Sequence, residues 1–345
     1  MEVKNVAVVA TVSANGVIGG AEKFHQGLTN ALNTNGLKAD LINIISDEKD
    51  FNSIKKSYLK FYDLDLTQYD GIITTKAPGY AVRHKNHITY LQHTMRVFYD
   101  MFEVEFKQPS EELKRQRHFI QKIDTLALQY PRTKKIFVIG NEVKNRLLKF
   151  NNLQSEVLYQ ALIKENYCCN NFDYIFLPGR LHRWKRVDLA INAMRHVKTP
   201  IKLMIAGIGE DMDYFKATAK GLKNVNFLGR VTDDEIIKLY SNSLAVAFVP
   251  IREDFGLITL EAFKSKKPVV TCVDSGEPTY IVNEDSSGFI CNPNPEDLAD
   301  RFDRLYHNKD HARIMGENGF ESIRHISWET TAKKLIESLN QVYNI

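Results

Sequence analysis

The chain has 345 residues, a length that suits two domains better than one. Hydrophobic content of 43% and charged content of 26% fit an ordinary soluble globular protein, and no apolar run approaches the roughly 20 residues needed to cross a bilayer. A net charge of +4 with no nucleic-acid-binding motif argues against a nucleic-acid partner, and four cysteines without C-x-x-C spacing argue against zinc, so a reduced, cytoplasmic setting is expected.

The apolar run at 6–10 is too short for a signal segment and reads as a first buried strand. It leads into a glycine-rich loop carrying Gly16, Gly19 and Gly20, then a helical pattern over about 22–32. Paired glycines let backbone approach a ligand, and the N–H groups of a helix start favour an anion; a plain turn gives the same sequence. The dinucleotide fingerprint G-x-G-x-x-G is absent, which disfavours a nicotinamide dehydrogenase. Further strands are expected at 39–45, 71–75, 88–93, 135–140 and 156–159, and a helix at 141–148 with Asn141 as its cap. His93 stands at a strand end with Arg96 three positions on; a lone histidine there is more often structural than functional. Between 113 and 149 ten Lys/Arg face two acids, a balance that suits an anionic membrane surface or a pyrophosphate-bearing acceptor as well as solvated helix faces.

Residues 166–172 are polar and aperiodic and read as a linker. A second series follows: a strand at 173–178, a basic loop with Arg180 and Lys185, a helix at 187–197, and strands at 201–206 and 225–229. After a helix at 233–240, the apolar run at 244–249 reads as a buried strand ending at Pro250. Glu253 lies on the loop beyond it, and Glu261 falls in the next helix on one face with Leu257, Leu260 and Lys264. A strand at 268–273, helices at 295–306 and 310–319, and an amphipathic helix at 328–343 complete the chain. Strands alternating with helices in both halves argue two doubly wound α/β domains with a cleft between them.

Strand carboxyl ends are where open α/β sheets bind ligands. Arg180 and Lys185 suit phosphate oxygens, Arg bidentately and Lys as a point charge. Glu253 and Glu261 suit sugar hydroxyls, although any two acids can fall eight apart. Asp63-Leu64-Asp65 and Asp211-Met212-Asp213 match D-x-D, but neither follows a strand end as a metal–diphosphate site requires, so no required metal and no cofactor are expected.

Four ordered motifs make the chain resemble family 4 (group 1) retaining glycosyltransferases of the GT-B fold. Gly19-Gly20-Ala21-Glu22 is similar to the family's N-terminal loop. Gly179-Arg180-Leu181 with Lys185 and Asp188 is similar to its phosphate-binding motif. Ala206-Gly207-Ile208-Gly209 and Leu228-Gly229 resemble its next strand ends, and Glu253 through Glu261 its E-x7-E motif. The resemblance implies an acceptor-side domain at 1–165, a donor-binding domain at 166–325, and a helix at 326–345 packing toward the first. It implies donor contacts from Gly19, Gly20, Gly207, Phe255, Gly256 and Leu257. Arg180 and Lys185 would neutralise the leaving diphosphate. Glu261 would hold the ribose, Glu253 would contact the transferred sugar, and His93 would stand near it. His93-Thr94-Met95-Arg96 resembles a His-Thr-Pro-x-Arg pattern of bacterial mannosyltransferase-like members. It also implies a nucleotide diphosphate sugar as donor, GDP- or UDP-linked with a lean to GDP-mannose, and a glycan or lipid-linked acceptor. Catalysis would fall to Glu253, His93, Arg180 and Lys185, and the enzyme would be cytoplasmic, peripheral at the membrane through 113–149. A non-catalytic sugar-nucleotide-binding subunit and a nucleotide-sugar epimerase of the same architecture are the alternatives. The chain departs from the family at Glu277, where a second glycine is usual, at Tyr280 in an acidic place, at Met95 for proline and at Arg186 for glycine.

Overall fold

A computed structural model describes residues 2–13 and 20–344. The chain divides into two compact units, Met1–Ile163 with Ile326–Ile345, and Lys164–His325. Among the described residues no helix is long and apolar enough to cross a membrane.

The first unit runs β1 (Asn5–Ser13), α1 (Gly20–Thr34), β2 (Lys38–Ser46), α2 (Phe51–Tyr62), β3 (Gly71–Thr74), β4 (His87–Leu91), α3 (Phe102–Glu105), α4 (Glu111–Leu128), β5 (Lys135–Val138), α5 (Asn141–Asn151) and β6 (Glu156–Val157). The strands form one parallel sheet in the order β2-β1-β3-β4-β5-β6. Val6, Ala7, Val8, Val9 and Ala10 are all fully buried, as a parallel strand covered on both faces requires.

The second unit runs β7 (Tyr174–Pro178), α6 (Val187–Ala193), β8 (Leu203–Ala206), α7 (Met212–Thr218), β9 (Val225–Gly229), α8 (Asp233–Asn242), β10 (Ser243–Ala247), α9 (Leu257–Lys264), β11 (Val269–Cys272), α10 (Pro278–Ile281), β12 (Gly288–Cys291), α11 (Pro295–His307) and α12 (Lys309–Ser322). Its parallel sheet has the order β12-β11-β10-β7-β8-β9. The direction of winding therefore reverses between β7 and β10, which pair directly. Side chains from β7, β8 and β10 (Ile175, Leu203, Ile205, Leu244, Ala245) fill one core with Phe302 of α11. Thr232 and Glu235 close a capping box at α8, and Asn294 caps α11 ahead of Pro295.

The last helix, α13 (Trp328–Tyr343), belongs to the first unit. The Trp328 indole lies so close to α1 that a Cβ at Gly27 would come within 2.7 Å of it. Thr331 donates to the Tyr159 carbonyl, and Asn340 accepts from the Val3 N–H.

Helices α2, α3, α4 and α10 fall outside the sequence expectations, as does β12. The expected cap at Asn141 is displaced by one residue: Gly140 is the extended cap residue and Asn141 opens α5. The strand expected at 244–249 runs Ser243–Ala247, and the one expected at 88–93 runs His87–Leu91, so His93 lies just beyond it.

Candidate functional site

In the second unit the backbone of two strand-end loops is locked together by glycine. Gly179 and Gly207 have φ of +130° and +140°, and a Cβ on Gly207 would stand 1.8 Å from the Gly179 carbonyl oxygen. A Cβ on Gly209 would meet the Leu181 carbonyl at 2.2 Å. Leu181 N–H donates to the Ile208 carbonyl, and Asp211 N–H to Leu181. The loops after β7 and β8 thus lie on one another, an approach only glycine permits.

Arg180 leaves this junction exposed, its guanidinium forked onto Glu210 at 2.9 and 3.1 Å. Lys185 ends a short 3₁₀ turn, Arg183–Lys185. Its Nζ sits 2.6 Å from Glu253 Oε2, with both side chains mostly buried, and lies over the Phe248 ring. The structure thus brings Lys185 and Glu253 together and puts Arg180 on a different carboxylate.

Arg186 occupies a left-handed backbone conformation, φ 49°, which is where a glycine is easiest to place. Its side chain donates to the Val249 and Pro250 carbonyls and forks onto Asp274 at 2.6 and 2.7 Å. One side chain therefore ties the loop after β7 to those after β10 and β11. Sequence reading noted Arg186 only as a departure; its φ and its three loop partners are tertiary facts with no local signal.

The loop that carries Glu253 is zipped to the loop after β11. Arg252 N–H donates to the Asp274 carbonyl, Glu253 N–H to Ser275, and Glu277 N–H to Glu253. Gly276, φ +78°, makes this possible, since its Cβ would fall 2.5 Å from the Glu253 backbone. Glu277 has ordinary helical φ/ψ and a fully buried side chain, so that position needs no glycine here. Tyr280 is exposed. Gly256, φ +79°, opens α9 against the Phe248 ring; Phe255 is buried and Leu257 half-buried.

Glu261, in the second turn of α9, accepts from Tyr240 Oη of α8 at 2.5 Å. The ring of Tyr167, from the segment before β7, packs edge-on against that of Tyr240 at 6.0 Å. Burial first, and the Glu261 charge second, raise the pKa of both phenols. Neither tyrosine was singled out in the sequence.

In the first unit Gly19 lies outside the described residues, and Gly20 is the first residue of α1. His93 is half-buried, its Nδ1 3.0 Å from the Thr94 carbonyl. Sequence reading missed His25, whose Nε2 lies 2.8 Å from Thr75 Oγ1 at the end of β3. Burial first, then the charges of Lys76 and His93, lower its pKa from 6.5 to about 3, so His25 is neutral. Arg96 is drawn away into an ion pair with Asp100 at 2.7 Å, which Arg146 completes at 2.7 Å.

Asp211 accepts from the Arg183 N–H and Asp65 from Thr67, so both D-x-D candidates stabilise loops. Among the described residues no group of three or more His, Cys, Asp or Glu is arranged to hold a metal ion. Much of the positive charge at 113–149 is internally matched: Lys114–Glu111, Arg115–Glu112, Arg117–Glu103, Lys135–Glu156 and Arg146–Asp100 are ion pairs. Between α2 and α4, Leu59, Tyr62, Phe119 and Leu126 are exposed around a groove edged by Lys55 and Arg132.

Residues 163–322 match the family model described as "Glycosyl transferases group 1". An uncharacterised glycosyltransferase of Methanocaldococcus jannaschii is 27% identical over 216 residues, 61% of this chain and 59% of that protein. An alpha-1,3/1,6-mannosyltransferase of Mus musculus is 26% identical over 166 residues, 42% of this chain and 40% of that one. The matched segments thus span about half the length of these relatives. A sucrose-phosphate synthase structure from Thermosynechococcus elongatus superposes over 99% of both chains, with a TM-score of 0.79 and 16% identity. The fold is GT-B. The Anabaena protein HepE, crystallised with UDP and glucose, superposes over 98% of this chain and 100% of its own, with a TM-score of 0.73 and 14% identity. In this GT-B chain the segment matched by the family model contains Arg180, Lys185, Glu253 and Glu261 together.

Proposed function

We propose that the chain is a retaining glycosyltransferase that moves a hexose from a nucleotide diphosphate sugar to a glycan or lipid-linked acceptor. One observation carries this reading. The loops after β7 and β10, the pair of strands at which the sheet reverses its winding, carry Arg180 and Lys185 on one side and Glu253 on the other. That reversal is where doubly wound sheets bind nucleotides.

In this reading Arg180 and Lys185 take the diphosphate, with Gly207 supplying close backbone. Their charge counts most as the diphosphate leaves, because negative charge grows on it in the transition state. The acceptor hydroxyl attacks the anomeric carbon as the sugar–phosphate bond breaks, and its proton passes to the departing phosphate oxygen. Glu253 orients the sugar hydroxyls and Glu261 the ribose. No resident metal is part of the proposal. The mannosyltransferase relative favours a mannose-type sugar, and HepE with UDP and glucose keeps UDP among the candidates. We further infer a peripheral membrane contact: the α2–α4 groove offers apolar side chains flanked by Lys55 and Arg132, a pairing suited to anionic lipid.

Thermal unfolding with UDP, GDP and ADP and their hexose conjugates tests the reading, because a ligand that binds only the folded chain raises its melting temperature. A shift with one nucleotide family supports it. The absence of a shift with all three would sink it.

A further inference from the structure

Arg180 and Glu210 meet from two loops whose backbones are bonded to each other on both sides of the pair. Gly179 N–H donates to the Ala206 carbonyl, Leu181 N–H to Ile208, and Asp211 N–H back to Leu181. Asp211 Oδ2 accepts the Arg183 N–H at 2.6 Å. With the backbone of both residues held, only side-chain rotation decides where the Arg180 guanidinium lies. Glu210 decides it: Nε donates to Oε2 at 3.1 Å and Nη2 to Oε1 at 2.9 Å. His182 stands on the other side of the carboxylate, its Nε2 3.5 Å from Oε1. Its Nδ1 accepts the Trp184 N–H, so the neutral imidazole carries its proton on Nε2, facing Glu210. Glu210 is therefore itself kept in place between a guanidinium and an imidazole.

A guanidinium is planar, and its rigid fork of N–H donors can serve two oxygens along either of two edges. Glu210 occupies the Nε/Nη2 edge. Nη1 and the outer N–H of Nη2 have no protein partner among the described residues. One edge can thus stay on Glu210 while the other receives two phosphate oxygens. Lys185 has no such second edge, because an ammonium is a point charge, and it lies on Glu253. The side chains of Arg180 and Glu210 are 69% and 44% exposed, so the pair contributes little to folding, and either residue can be replaced without opening a core.

We propose that Glu210 is a positioning residue for the donor diphosphate. It keeps the Nε/Nη2 edge of Arg180 for itself and thereby presents the Nη1/Nη2 edge to phosphate oxygens. The inference rests on the proposed donor site and adds an acid that helps an anion to bind. Bare electrostatics gives the opposite sign, since a carboxylate beside a diphosphate repels it.

The test is calorimetric titration with UDP, GDP and ADP of the full chain, of Glu210→Ala, of Arg180→Ala and of the double variant. On the diphosphate that the wild type binds most tightly, Arg180→Ala should lose about tenfold in affinity, the scale of a hydrogen bond to a charged group. Glu210→Ala should lose about fivefold, the upper end for an exposed ion pair, even though it removes a negative charge. The double variant should bind no more weakly than Arg180→Ala, because Glu210 acts through Arg180 alone. Unchanged or tighter binding by Glu210→Ala would overturn the positioning role. So would a Glu210→Ala loss that persists in the Arg180→Ala background, which marks a general disturbance of the loop. If Arg180→Ala binds as tightly as the wild type, the donor-site reading fails and the inference with it. If Arg180→Ala weakens binding and Glu210→Ala does not, the donor site stands and the role of Glu210 alone fails.

Discussion

Lys185 Nζ lies 2.6 Å from Glu253 Oε2, a contact between residues 68 positions apart in the chain. Without ligand, the cation we assign to the diphosphate is held by the carboxylate we assign to the sugar. A donor must draw Lys185 off Glu253, and the release of Glu253 leaves its oxygens for sugar hydroxyls. The two assignments are therefore one switch of partners.

That relationship separates two variants. Lys185→Ala removes a charge that matters most when the diphosphate departs, so turnover should fall more than about tenfold, a barrier change of roughly 1.4 kcal/mol. Glu253→Gln keeps the shape and loses the ion pair. Its donor affinity should rise or hold while turnover falls. Steady-state kinetics on both variants checks the split, and equal turnover for Lys185→Ala and wild type would contradict it.

The glycine junction makes a stability prediction. Gly207→Ala places a Cβ 1.8 Å from the Gly179 carbonyl oxygen at φ +140°, so backbone must move. The cost should be about 3 kcal/mol or more. Gly221 also has positive φ, +86°, but a Cβ there meets nothing within 4 Å. Gly221→Ala should cost only about 1 kcal/mol of left-handed strain. Urea denaturation midpoints of the two variants measure the difference.

A third expectation concerns acid. His25 and His87 each have a folded pKa of about 3, lowered from 6.5 mainly by burial. Below pH 6.5 the unfolded chain binds protons that the folded one refuses, so each histidine removes stability as pH falls from 6.5 toward 3. Asp124 acts in the opposite sense. Burial raises its pKa from 3.8 to about 6, so the folded state takes up a proton first between those values. Two opposing histidines outweigh one aspartate, and stability should drop between pH 7 and pH 5. In His25→Gln the loss over that interval should be smaller by about 2 kcal/mol, read from urea midpoints at the two pH values.

Much of the fold was legible because most of its parallel strands are short, mainly apolar runs separated by helices. Neither α2 nor α4 was, for a reason visible in the buried face of α4. That face includes Asp124, a carboxylate buried completely and satisfied by the hydroxyls of Tyr58 and Tyr99. A buried charge breaks the apolar period that marks a helix, and its phenol partners lie 66 and 25 positions away. In the candidate site the eight-residue spacing of Glu253 and Glu261 could be read directly. Their partners could not: Tyr240 stands 21 positions from Glu261, and Asp274 stands 88 from Arg186. The oddity of Arg186 was legible as a departure, and its left-handed φ explains why glycine is the easier residue there.

The α2–α4 groove gives a fourth expectation. Sedimentation with vesicles containing anionic phospholipid should carry the wild-type chain down, less so at high salt. Leu59→Ser with Phe119→Ser removes two exposed apolar side chains and should lower the bound fraction at least about threefold. Equal binding to neutral vesicles, or no effect of the double variant, would remove the membrane contact.

The central claim is that the β7–β10 reversal holds a nucleotide diphosphate sugar for transfer. Its most direct measurement is release of nucleoside diphosphate from a panel of UDP-, GDP- and ADP-hexoses, with glycan and lipid-linked acceptors present and the product followed by mass. One donor should yield nucleoside diphosphate together with an acceptor heavier by one hexose, and Lys185→Ala and Glu261→Gln should each suppress both. Release and transfer that persist undiminished in both variants, or no turnover of any donor by the wild type, would contradict it.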